Sequence, residues 1–83
     1  MFYAIDNVKP LEDFKLFVTF KNGINKIYDL KPLFDKWEIW GDLKNNNLFN
    51  SVKVDTGGHG ISWNRNIDLS CNELWENGKV VEN

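Results

Sequence analysis

Phe14-Lys15-Leu16-Phe17-Val18-Thr19-Phe20-Lys21 runs into Asn22-Gly23 and resumes as Ile24-Asn25-Lys26-Ile27-Tyr28-Asp29-Leu30. Both arms are rich in β-branched and aromatic residues, which suit a pleated, half-buried surface. Asn-Gly between two such arms is a strong hairpin signal, because a type I′ turn needs positive φ at both central residues. A two-residue loop predicts that Phe20 faces Asn25, Val18 faces Ile27 and Phe17 faces Tyr28. Side chains alternate between faces along a strand. On that register Leu16, Val18, Phe20 and Ile27 form the core face. Phe17 and Tyr28 stand on the other face among Lys15, Thr19 and Lys26, mostly toward solvent.

Outward from this hairpin, Phe2 to Val8 reads as a strand ended by Pro10, with a turn at Glu12-Asp13. Pro32 opens a short helix to about Trp37, since a first-turn proline loses no useful N–H. Gly41 interrupts, and Asp42 to Asn50 reads as a second helical turn or loop. Ser51 to Asp55 is a strand, Thr56 to Gly60 a turn, and Ile61 to Trp63 its return. Asn64-Arg65-Asn66 turns again before Ile67-Asp68-Leu69. Ser70 with Glu73 three residues on predicts a capping box for a last helix, closed by Gly78. Lys79 to Asn83 is expected to fray. The expected architecture is one α+β domain over residues 1–83: a small antiparallel sheet of hairpins with two or three short helices.

At 83 residues such a domain has a thin stability margin. Cys71 is the single cysteine, so an internal disulfide is excluded and a reducing, cytoplasmic setting is expected. Stability must come from apolar burial, supplied by six Phe, four Trp and two Tyr. Net charge is −2 and Arg65 is the sole arginine. No concentrated cationic surface is expected, which argues against direct nucleic-acid binding. Met1 to Val8 holds Asp6 and no apolar run, and no stretch is long enough to span a bilayer. Neither a signal peptide nor a membrane partner is expected.

Candidate chemistry is sparse. Asp55-Thr56-Gly57 matches the signature around an aspartic-protease carboxylate, but that reaction needs two carboxylates sharing a proton. One copy is present, and the plain reading is a hairpin turn. His59, the lone histidine, lies between Gly58 and Gly60, where exposure is the plain reading and a general base paired with Asp55 the functional one. A single His and a single Cys do not make a zinc site. Gly57 to Gly60 lacks the Gly-Lys-Ser/Thr ending of a phosphate loop. Cys71 near a helix start is either reactive or a small apolar filler. No catalytic residue, metal or cofactor is expected. Trp37 and Trp40 lie three apart and, on a helix, share a face near Phe34. Trp is enriched at binding hot spots, so Phe17, Tyr28, Trp37 and Trp40 are the candidate partner-binding residues, with core packing as the competing reading.

Several landmarks recur in a fixed order: Phe20 to Gly23, Tyr28-Asp29-Leu30-Lys31-Pro32-Leu33, and Leu43 followed by Leu48-Phe49. Val52-Lys53-Val54-Asp55, Ile61-Ser62-Trp63, Ile67-Asp68-Leu69 and Glu73-Leu74-Trp75 complete the series. In these the chain resembles the small bacterial family catalogued as domain of unknown function 2442, from about Val8 to Gly78. It departs where Asn64-Arg65-Asn66 stands in place of a Pro-and-Gly turn, and where Leu74-Trp75 replaces Leu-Tyr.

The resemblance implies an α+β fold without established catalytic residues. It also implies a partner: members often sit in two-protein operons beside another small protein, and some are antitoxin-like by that context. Others are fused to a helix-turn-helix domain, which is not expected here. The leading expectation is therefore a protein-binding domain, the antitoxin-like half of a toxin–antitoxin pair, acting on a small protein encoded nearby. A small-ligand domain with a pocket between sheet and helices is the alternative. An exposed hairpin face or a free edge strand leaves room for a homodimer.

Overall fold

In the computed structural model, which describes residues 3–82, the hairpin forms as β2 (Lys15–Phe20) and β3 (Asn25–Asp29). Its loop, however, has three residues. The Gly23 N–H donates to the Phe20 carbonyl at 2.9 Å, and the Phe20 N–H donates to the Ile24 carbonyl at 2.9 Å. Only Gly23 is left-handed, at φ 90°. This is the three-residue hairpin loop with a glycine bulge.

The extra residue shifts the predicted register by one. Val18 faces Lys26, Phe17 faces Ile27 and Leu16 faces Tyr28. A one-residue slip moves a whole strand's side chains to the opposite face. Tyr28 and Lys26, expected near solvent, are buried, and Ile27, expected in the core, lies on the outer face.

Strand β1 (Ile5–Leu11) starts and ends later than expected and runs through Pro10. The expected start at Phe2 lies outside the described residues. Two backbone bonds, Leu30 N–H to Phe14 O and Phe20 N–H to Ile24 O, aim the even-numbered backbone of β2 at β3. Pro10 pairs with Leu16, an even position, so its nitrogen faces away from β2 and the missing N–H costs no ladder bond.

A two-residue strand β7 (Lys79–Val80) pairs with β3, and the sheet order is β1-β2-β3-β7. The expected fraying of the tail is thus corrected for residues 79–81, because the Val81 N–H also donates to the Asn25 carbonyl at 2.9 Å. Asn83, part of the same expectation, lies outside the described residues. A second antiparallel sheet, β4-β5-β6, is built from β4 (Lys53–Val54), β5 (Gly60–Ser62) and β6 (Asp68–Ser70). It stands beside β1, where the turn at Gly58 (φ 74°) meets the backbone of Ile5.

The helices are short: α1 (Lys31–Phe34), α2 (Asn46–Phe49) and α3 (Cys71–Asn77), with a 3-10 segment over Glu38–Lys44. The Ser70 hydroxyl caps α3 by accepting from the Glu73 N–H at 3.1 Å, as predicted, whereas the Glu73 carboxylate expected to complete a capping box turns to Tyr28 and Asn77 instead. The core lies between the four-stranded sheet, α3 and the second sheet. Ile5, Leu16, Val18, Phe20, Leu30, Leu43, Ile61, Ile67 and Leu74 are essentially inaccessible there. Each such side chain contributes roughly 1.5–3 kcal/mol of transfer free energy. Two antiparallel sheets with short helices make this an α+β fold.

Candidate functional site

Trp37 is the one exposed Phe, Tyr or Trp ring among the described residues. Its backbone is extended (φ −139°, ψ 131°), which breaks α1 from the following 3-10 segment. The helical face expected to carry Phe34, Trp37 and Trp40 together therefore does not exist. Trp37 is 56% exposed, with Ile39 nearby at 41%, whereas Trp40 is 8% exposed. Trp40 packs edge-on against Trp63, centroids 6.0 Å apart, and the Trp63 indole N–H donates to the Phe49 carbonyl at 3.1 Å. The Lys36 ammonium lies 6.0 Å from the centre of the Trp37 ring.

Trp37 sits at the lip of a shallow depression of about 370 Å³ that also takes in Leu33, Leu69 and Glu73. This runs into a larger open groove of about 740 Å³ around Tyr28, Pro32, Leu33, Lys36, Glu73 and Asn77. The two share Leu33, Lys36 and Glu73, so α1 and α3 border one continuous trough.

The groove floor is held by side chains the sequence placed elsewhere. Tyr28, buried on the helix side of β3, donates to Glu73 Oε2 at 2.8 Å, and Asn77 Nδ2 donates to the same oxygen at 2.9 Å. Burial raises the Tyr28 phenol well above its ordinary range, and the bond to the Glu73 carboxylate raises it further. Lys26, on the same face, lays its ammonium 3.8 Å from the centre of the Trp75 ring and donates to the Trp75 carbonyl. It thereby satisfies a carbonyl in the last turn of α3 that lacks a helical partner. Tyr3 stacks on Trp75, centroids 3.8 Å apart. Lys26 escaped the sequence reading because only the true register turns it inward.

Of the four residues expected to meet a partner, Tyr28 and Trp40 are therefore core residues, a correction forced by the register slip and by the helix break. Trp37 is exposed. Phe17 is half-buried on the outer face of the four-stranded sheet, where Ile27 replaces Tyr28 as its neighbour.

The other candidates lie around the second sheet and the start of α3. Asp55-Thr56-Gly57 is a tight turn: the Gly58 N–H donates to the Asp55 carbonyl at 2.9 Å, and Ser62 Oγ donates to Asp55 Oδ1 at 2.7 Å. His59 is exposed, and its carbonyl accepts from the Cys71 N–H at 2.8 Å. Cys71 is buried at the start of α3. Among the described residues no three His, Cys, Asp or Glu side chains are grouped to hold a metal ion. No described helix is long and apolar enough to cross a membrane.

A third network lies beside the hairpin base. Lys31 Nζ contacts Asp13 Oδ2 at 2.9 Å and Asp29 Oδ1 at 3.0 Å. Partial burial opposes ionisation of Asp29, but the hydrogen bonds from the Lys31 backbone and side chain outweigh it and hold the carboxyl below its usual range. The bond to Asp13 is the main reason the Lys31 ammonium is held above its own.

Two antiparallel sheets and short helices around a hydrophobic core, with an open trough beside α1 and α3, define a small α+β domain. Residues 5–80 match the family model described as Protein of unknown function (DUF2442), and the chain belongs to that family. No curated protein and no solved structure matches it.

Proposed function

We propose that this chain works by binding another protein through the trough between α1 and α3. The supporting observation is the Trp37 indole, more than half exposed at the lip of the trough while Trp40 and Trp63 are buried. An exposed Trp beside a depression lined by Leu33 and Leu69 offers the aromatic anchor that interface hot spots use. The operon context implied by the family makes the partner a small protein encoded next door, with this chain as the antitoxin-like member. A single unpaired cysteine supports action in the cytoplasm. Co-expression with the neighbouring gene product should give co-elution on gel filtration and growth rescue, both weakened by Trp37→Ala. Separate elution at micromolar concentration without rescue overturns the proposal.

A second reading is favoured by the groove's volume. At about 740 Å³ it falls in the range that small molecules fill. Thermal-shift screening against a metabolite panel tests it, and the absence of any shift counts against it.

A further inference from the structure

Helix α3 packs on the Leu16–Val18–Phe20 face of the four-stranded sheet, where Lys26 and Tyr28 meet it. The register gives the content of the opposite, outer face. One row crosses all four strands as Lys9, Phe17, Ile27 and Lys79. The next row holds Leu11, Lys15 and Asp29, and the row on the other side holds Asn7, Thr19 and Asn25. Phe17 and Ile27 are half-buried, and Lys9 and Lys79 are exposed.

The charge on this face runs against the chain as a whole. The chain carries a net −2, yet these rows hold Lys9, Lys15 and Lys79 against one carboxylate, Asp29. Asp29 is already paired with Lys31 at 3.0 Å. An apolar centre is thus rimmed by three cations without ion pairs among the described residues.

We infer that this face docks an acidic protein surface, its apolar ridge over Phe17 and Ile27 and its carboxylates toward Lys9, Lys15 and Lys79. The inference rests on the partner-binding reading and adds the partner's chemistry and a contact face that adjoins the trough, whose groove Lys15, Ile27 and Lys79 also line. A second copy does not fit, because a two-fold face-to-face pair is self-complementary and would set these lysines against themselves. Nucleic acid does not fit either. Three lysines around a centre with a single ring, Phe17, offer neither a continuous cationic track nor successive rings for stacking bases.

The test places a benzophenone photo-crosslinker at position 19, beside Phe17 on the outer face, and in a separate variant at position 37. Both full-length chains are irradiated in the producing cells. Position 19 should capture a distinct protein of acidic composition. Lys9→Glu with Lys79→Glu should cut that yield roughly tenfold by setting like charges across the contact, while Lys9→Arg with Lys79→Arg keeps it. Unchanged near-ultraviolet circular dichroism confirms that the variants are folded. A captured second copy, captured nucleic acid, a yield indifferent to charge reversal, or no product at position 19 overturns the inference. If position 37 still captures a protein, the proposed function stands without it; if neither position does, both fail.

Discussion

Tyr28 on β3 and Glu73 on α3, forty-five residues apart in sequence, are joined by a 2.8 Å hydrogen bond from phenol to carboxylate. The bond ties the central hairpin to the last helix at the floor of the trough. Tyr28→Phe keeps the ring and removes the bond, so it should destabilise the fold by about 1–2 kcal/mol in urea unfolding. The pH dependence has a definite sign. Burial, and then Glu73, raise the phenol's pKa in the folded state above its ordinary value of 10.0. The neutral phenol therefore contributes its full stability below pH 10.0, and that contribution is lost as pH rises beyond it. Tyr28→Phe should flatten the alkaline limb of a stability–pH curve.

Lys26 is a charged residue doing the work of a core residue. Its ammonium faces the Trp75 ring at 3.8 Å and caps a carbonyl of α3. Lys26→Ala removes the cation–π contact, the hydrogen bond and the packed stem, and should cost about 2 kcal/mol in chemical unfolding. Lys26→Met keeps the stem and should cost less. Equal losses in the two variants would show that the stem contributes nothing.

Gly58 has no room for a methyl group. A Cβ there would lie 2.5 Å from the Ile5 carbonyl oxygen and 2.8 Å from its nitrogen, at φ 74°. Backbone atoms on both sides leave nothing flexible to yield. Gly58→Ala should destabilise by about 3 kcal/mol or more, or prevent folding. Gly41→Ala is the control, since nothing lies within 4 Å of its Cβ position. Its melting temperature should stay near that of the parent.

The tryptophans separate stability from binding. Trp40→Ala opens the edge-on pair with Trp63 and should cost about 3–5 kcal/mol. Trp37→Ala touches no core contact and should stay within about 0.5 kcal/mol of the parent. Calorimetry measures both. A Trp37→Ala chain that unfolds would make the ring structural and remove the support for the trough as an interface.

Much of the fold was legible because local chemistry decided it. Ser70 with Glu73 announced α3, and Lys15 to Phe20 announced β2. The faces of β3 were not legible. Asn22-Gly23 suits a two-residue loop, yet the three-residue loop wins, since its register buries Tyr28 against Leu16 and Lys26 against Val18 where α3 can use their polar ends. Those partners, Glu73 and Trp75, are remote in sequence, so no local pattern marks them. The Trp37–Trp40 spacing misled for a related reason. Three-residue spacing implies a shared face only on an unbroken helix, and Trp37 is extended. The same distance from local signals hid the tail, because Lys79 and Val80 have no strand pattern of their own and are ordered by an edge that β3 presents.

That edge makes the order of synthesis matter. While a ribosome is still extending the chain, β2 and β3 have emerged but Lys79 and Val80 have not, so one flank of the central hairpin is open until those two residues are made. Lys26 and Tyr28 meanwhile lack the helix that receives them. A product stalled before residue 79 would carry a sticky, half-solvated β-ribbon, the kind of species that clumps or draws a chaperone, and its quality control would turn on whether Lys79 and Val80 reach that edge.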